Sequence, residues 1–130
     1  AISGPESSGT GTATITFHLT RDSGGAIQSG TVDFQISASS FPAGTSIINA
    51  HIHGPAGAGA TANVLIPVSG LSPATPLALP NGSGSFQVNG VGGTDAATLQ
   101  AIIDNPANYY FNIHSSLNPG GVARGQLAKQ

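Results

Sequence analysis

The chain contains no cysteine, no methionine and no tryptophan. Without cysteine there is no disulfide framework, no thiolate metal site and no thiol chemistry. Charge is scarce as well: Asp, Glu, Lys and Arg make up 6% of the residues, against roughly 25% in typical domains. Only three residues are Lys or Arg and the formal net charge is −2, so no basic patch is available for nucleic acid. No basic amphipathic segment suits a membrane surface. No apolar run is long enough to span a bilayer. No internal repeat is evident.

What remains is a chain of 130 residues, long enough to bury most of its apolar surface as one domain spanning 1–130. It holds 19 glycines, and Ser, Thr, Asn and Ala fill much of the remainder. A low-charge composition of this kind suits a secreted or periplasmic bacterial protein. The first residue is Ala, and the expectation is a processed N-terminus from which a signal peptide has been removed.

Ala1 to Gly11 read as a Gly/Ser-rich loop, with a short edge strand expected at the very start. From Thr12 to Thr20 the pattern alternates. Ala13, Ile15, Phe17 and Leu19 share one face, and Thr14, Thr16, His18 and Thr20 the other, which is the period of a half-buried strand. Asp22-Ser23-Gly24-Gly25 is a turn signal. Gly30 to Ser37 alternates again with Val32, Phe34 and Ile36 inward, which predicts a hairpin. Gly54 to Asn63 is expected to be an exposed loop. Val64 to Val68 is a short apolar run whose Pro67 marks an edge or a strand end. Gly70 to Gly84 reads as a Pro-rich connection and Ser85 to Val88 as a strand. One helix is predicted from Asp95 to Asp104, with Thr94 as its N-cap and Leu99, Ile102 and Ile103 on one face. Asn105-Pro106 ends it. Strands are expected over Tyr109–Ser115 and Val122–Ala128, the latter with Val122, Arg124 and Gln126 on one face. Seven or so short strands with one short helix indicate an all-β fold, a Greek-key β-sandwich or barrel.

Chemistry concentrates in one stretch, Ile47-Ile48-Asn49-Ala50-His51-Ile52-His53-Gly54-Pro55. Residues two apart share a strand face. Ile48, Ala50 and Ile52 therefore form an apolar row, and Asn49, His51 and His53 a polar one. In Tyr109–Ser115, Phe111 and Ile113 share one face and Tyr110, Asn112 and His114 the other. If the two strands pair, His51, His53 and His114 converge. Three neutral imidazoles suit copper or zinc, and Cu(II) binds most tightly among common divalent ions. Asn49 and Asn112 are candidates to orient the rings, and Arg124 is expected on the same side. His18 joins as a fourth ligand only if its strand lies beside the site. Metal held by neutral imidazoles is expected to leave as pH falls through about 6. The competing reading makes these histidines hydrogen-bonded groups on a polar sheet face. Arg124 then pairs with Asp33 or a carbonyl, and Glu6 is exposed.

Several motifs together resemble the CHRD (chordin-type) domain family. They are Ala50-His51-Ile52-His53-Gly54-Pro55-Ala56, Tyr109-Tyr110-Phe111-Asn112-Ile113-His114-Ser115, and Asn118-Pro119-Gly120-Gly121 followed by Arg124-Gly125-Gln126-Leu127. Pro5-Glu6 and Gly9-Thr10-Gly11-Thr12-Ala13 resemble the family's start. The family usually places an acidic and then an aliphatic residue before the Arg-Gly, where this chain has Val122 and Ala123. The resemblance implies an immunoglobulin-like β-sandwich with limited similarity to Cu/Zn superoxide dismutases. In those enzymes a His-x-His strand supplies copper ligands near an Arg, which makes copper the first metal to test. Such domains occur in chordin, an extracellular antagonist of bone morphogenetic proteins, and in bacterial secreted proteins.

Three functions follow as expectations. The first is a metal-binding domain that stores, carries or buffers copper at His51, His53 and His114. The second is an extracellular module that binds another protein, with the histidines structural. The third and least favoured is a superoxide-dismutase-type enzyme, because no bridging His for a second metal and no acidic cluster are legible. No nucleophile–base pair for hydrolysis is legible either, since Ser115 and His114 face opposite ways on a strand.

Overall fold

The computed structural model describes residues 4–130; the short strand expected at the very start falls on residues 1–3, outside them. Two antiparallel sheets make a β-sandwich. One holds three strands, β1 (Thr10–Arg21), β2 (Ile27–Ser39) and β6 (Gly84–Val91), in the order β1-β2-β6. The other contains β3 (Thr45–His53), β4 (Val64–Pro67), β5 (Leu77–Leu79), β7 (Tyr110–Ser115) and β8 (Ala123–Gln126). Its order is β4-β3-β7-β8, and β5 pairs with the other end of the β3 edge that β4 occupies. The helix α1 (Ala96–Asp104) lies between β6 and β7 in the chain.

The alternating pattern does what its period dictates. In the β1–β2 hairpin Ile15 pairs with Phe34 and Phe17 with Val32. Val32, Phe34 and Ile36 are buried, while Ile15, Phe17 and Leu19 on the edge strand are half-buried. The turn between them closes through Asp22, whose Oδ1 accepts the Gly24 and Ala26 amides. Phe34 meets Phe111 across the sandwich with ring centroids 5.8 Å apart. Leu99 and Ile102 of α1 complete the core, and Pro67 ends β4 at the sheet edge.

Four expectations change. The N-cap of α1 is Asp95, not Thr94: its carboxylate accepts the Thr98 amide, and the Thr98 side chain together with that amide holds its pKa below the usual value. Leu77–Leu79 forms a strand inside the segment read as a Pro-rich connection. Three residues pairing with β3 are too few for a periodicity to register. The final strand is shorter than Val122–Ala128. Most consequential is a register shift between Ile47 and Asn49 against β7. It places Ile47 in the core beside Ala50 and Ile52, leaving Ile48 half-buried. The apolar row is therefore Ile47, Ala50 and Ile52, because a bulge resets the alternation of faces.

β7 is buried along its whole length, on both faces. Its inner face carries Phe111 and Ile113. Its outer face is covered by the segment after β3, which is mostly exposed as expected but folds back over the strand. The Gly54 amide reaches the Asn63 carbonyl and the Ala56 amide the Asn108 carbonyl. Gly54 is required where this segment leaves the strand, since a Cβ there would lie 2.2 Å from the Tyr109 ring. Gly54→Ala is therefore expected to cost about 1–3 kcal/mol by overpacking. Gly57→Ala, where a Cβ meets open space, is expected to cost far less. Urea unfolding of the two variants checks the difference, and equal midpoints would contradict this account of the covering segment.

Candidate metal centre

The pairing of β3 with β7 sets Asn49 opposite His114, His51 opposite Asn112 and His53 opposite Tyr110. All six side chains share the outer face, and His114 lies diagonally across from His51. Ring centroids are 4.8 Å apart for His51 and His114, 5.4 Å for His51 and His53, and 5.9 Å for His53 and His114. One ligand nitrogen from each ring falls within 4.8 Å of the others.

Hydrogen bonds assign the protons. His53 Nδ1 lies 3.0 Å from the Ala62 carbonyl and His114 Nδ1 2.9 Å from the Pro119 carbonyl. A carbonyl only accepts, so both rings donate from Nδ1 and present a bare Nε2. His51 Nδ1 lies 3.0 Å from His114 Nε2, so His51 donates there. His53 Nε2 has no hydrogen-bond partner within the protein; among the described residues it is the one buried side-chain nitrogen or oxygen in that condition. The residue is only 7% exposed, and a lone pair buried without a donor costs about 1–3 kcal/mol. A cation would supply what this nitrogen lacks. A tetrahedral ion with metal–nitrogen bonds of about 2.0–2.1 Å sets its ligands roughly 3.3 Å apart. The three nitrogens, within 4.8 Å of one another, would have to draw closer to reach that spacing. Were His51 and His114 both to ligate an ion, their hydrogen bond would be given up and His51 would carry its proton on Nε2.

The cluster is walled on one side by a stack. The Tyr110 ring lies parallel to that of His53 at 4.8 Å and 4°, and Arg124 sits 3.5 Å above the centre of the Tyr110 ring. The Tyr110 hydroxyl accepts the Ala62 amide, so the residue that orients His53 is itself pinned by the ring stacked on His53.

The sequence model of one family, the CHRD domain, matches residues 2–127 of the chain. The chain belongs to the CHRD domain family. No curated protein and no solved structure matches it. In this CHRD domain a cleft of about 620 Å³ is lined by Ile15, Ile36, Phe111, Ile113 and Val122 and holds none of the three imidazoles. It opens on the inner side of β7, away from the cluster.

The other residues expected at the site stand differently. Neither Asn49 nor Asn112 hydrogen-bonds a ring among the described residues; backbone carbonyls of Ala62 and Pro119 do that instead. Asn112 packs against Gly121, where a Cβ would lie 2.6 Å from its amide. Arg124, on β8 opposite Asn112, contacts no imidazole beyond the stack. It donates to the carbonyls of Ala60 and Gly57 and to Gln126, the carbonyl pairing that competed with a functional role. His18 is not a fourth ligand. It lies on β1, in the opposite sheet, exposed, with Nε2 2.7 Å from Asp33. Asp33 also accepts the Gly90 amide, and these bonds hold its pKa below the usual value. Glu6 is not exposed but buried. Sequence reasoning missed the carbonyls because a carbonyl carries no residue identity, whereas Tyr110 was legible on the face shared with Asn112 and His114.

Burial pushes the His51 pKa down to about 4, with the neighbouring His114 and His53 adding to the shift. Burial also holds His114 below its ordinary value, opposed by the Pro119 carbonyl and reinforced by His53. Between pH 6.5 and about 4 the unfolded chain takes up protons on these rings while the folded chain resists. The unfolded state therefore binds more protons, and stability falls as pH drops through that window. Asp33 and Asp95, whose pKa values are lowered, lose their contribution only below the ordinary aspartate value of 3.8. Urea midpoints of the metal-free protein are expected to decline across the window, and less steeply in His51→Asn. A flat profile down to pH 4 would contradict the buried, neutral cluster.

Proposed function

We propose that this CHRD domain is an extracytoplasmic metal-binding domain. His51, His53 and His114 hold one ion, copper before zinc, for storage or transfer rather than turnover. The observation that carries this reading is the buried, partnerless Nε2 of His53 in a three-imidazole cluster. Histidine-only ligation without a carboxylate or thiolate suits copper and zinc, and the Irving–Williams order favours Cu(II) between them. Two of the rings already have the supporting hydrogen bonds that metal-ligating histidines usually make. The preference for transfer over turnover rests on Arg124, whose guanidinium is engaged by two carbonyls and Gln126 and is not free to draw in an anion. The extracytoplasmic placement rests on composition and family, and no helix among the described residues is long and apolar enough to cross a membrane.

A second reading, an extracellular interaction module with structural histidines, is favoured by the 3.0 Å hydrogen bond between His51 and His114. That bond satisfies two ring nitrogens without an ion.

Isothermal titration with Cu(II), Cu(I) and Zn(II) separates the two. The expected result is one ion per chain, with copper tightest. His51→Ala, His53→Ala and His114→Ala should each lose more than the about 10–100-fold that removal of a supporting partner costs. Bound metal at a hundred times its dissociation constant should stabilise the fold by about 2.7 kcal/mol. Because burial lowers the pKa of His51 and His114, release should occur below the pH of about 6 expected for ordinary imidazoles. No heat above background with any of the three ions would sink the metal reading. Superoxide turnover by the copper-loaded protein would overturn the storage and transfer assignment.

A further inference from the structure

Glu6 is one of five acidic residues in the chain, and its side chain is buried to 2% exposure. It sits in a short 3-10 turn, Pro5–Ser8, just before β1. Burying a carboxyl group is costly unless its oxygens find donors. Here one oxygen, Oε1, accepts two: the Ser115 hydroxyl at 2.5 Å and the Asn118 side-chain amide at 2.6 Å. Ser115 is fully buried at 0% exposure and directly follows His114 on β7.

Asn118 is held from every side. Its amide donates to the Ser115 hydroxyl at 3.0 Å, and its carbonyl accepts the Ser115 and Gly121 amides. The next residue is Pro119, whose carbonyl accepts the His114 Nδ1 proton. The chain of contacts thus runs from Glu6 through Asn118 to Pro119 and so to the ring of His114. Leu117, Pro119 and Gly120 are exposed, so apart from Gly121 against Asn112 this turn has little packing of its own.

We propose that Glu6 is a positioning residue for the histidine cluster. By anchoring Asn118 it fixes the Pro119 carbonyl, which sets the His114 tautomer with Nε2 facing His51 and His53. The inference rests on the metal-binding reading for its consequence, but its geometry is independent of any ion. A segment at the far end of the sequence, more than a hundred residues away, thereby governs how one ring presents its lone pair.

The test uses the whole chain, with nitrogen-15 NMR of the imidazoles in the metal-free state and Cu(II) and Zn(II) titration alongside. Wild type should show His114 as a single Nδ1–H tautomer. Glu6→Ala should show tautomer averaging at His114 and an affinity lower by about 10–100-fold, the usual effect of losing support to a ligand. Glu6→Gln keeps an acceptor oxygen and should restore both. Asn118→Ala, which leaves the Glu6–Ser115 bond, should reproduce the tautomer averaging, and it serves if Glu6→Ala does not fold. If Glu6→Ala or Asn118→Ala keeps the single tautomer and loses only stability, Glu6 is a structural clasp and the proposal fails. If wild type takes up neither ion, the metal reading falls while the NMR result still decides the role of Glu6.

Discussion

The antiparallel pairing of β3 with β7 is the constraint on which the rest of this structure depends. These two central strands turn Ile47, Ala50, Ile52, Phe111 and Ile113 inward against Phe34 and its neighbours. The same pairing turns three histidines outward onto one another. Because successive side chains alternate between faces, one register serves both core and site, and a slip of one residue would dismantle them together. The bulge at Ile48 falls between the Ile47–Ser115 and Asn49–His114 pairs, so the register from Asn49 to His53 that carries the histidines runs unbroken against β7.

The outer face of this sheet is an unusual place for titratable groups. A sandwich normally leaves such a face to water, yet His53 and His114 are buried there and His51 half-buried. The cover comes from two backbone segments, 54–63 and 116–121, and each contributes a carbonyl that fixes one ring. Burial lowers the pKa of His51 and His114, and the carbonyls choose which nitrogen carries the proton. Together they favour neutral rings at His51 and His114 and leave the Nε2 lone pairs of His53 and His114 facing the cluster.

Arg124 and Glu6 show how scarce charge is used. Arg124 lies over Tyr110 and ties the covering segment to β8 through two carbonyls. Glu6 ties the chain's start to the β7–β8 turn. Each bonds chiefly to uncharged partners, so neither gains the strength of an ion pair and each holds its segment by several directed hydrogen bonds. Both segments so held are the ones that orient the imidazoles.

The sequence by itself determined the all-β class, the β1–β2 hairpin, the helix and the outward row of His51, His53, Tyr110, Asn112 and His114. These follow from alternation, turn residues and helical spacing, which are local properties. The family was legible because its motifs are contiguous runs. Tertiary structure alone decided that β3 pairs with β7, that a bulge exchanges Ile48 for Ile47 in the core, and that Leu77–Leu79 is a strand. It also decided that His18 lies on the other sheet, that Glu6 is buried, and that Ala62 and Pro119 rather than Asn49 and Asn112 orient the rings. Pairing between distant strands, burial and the use of backbone carbonyls leave no mark in local residue order. They depend on which segments the closed sandwich brings within hydrogen-bonding distance.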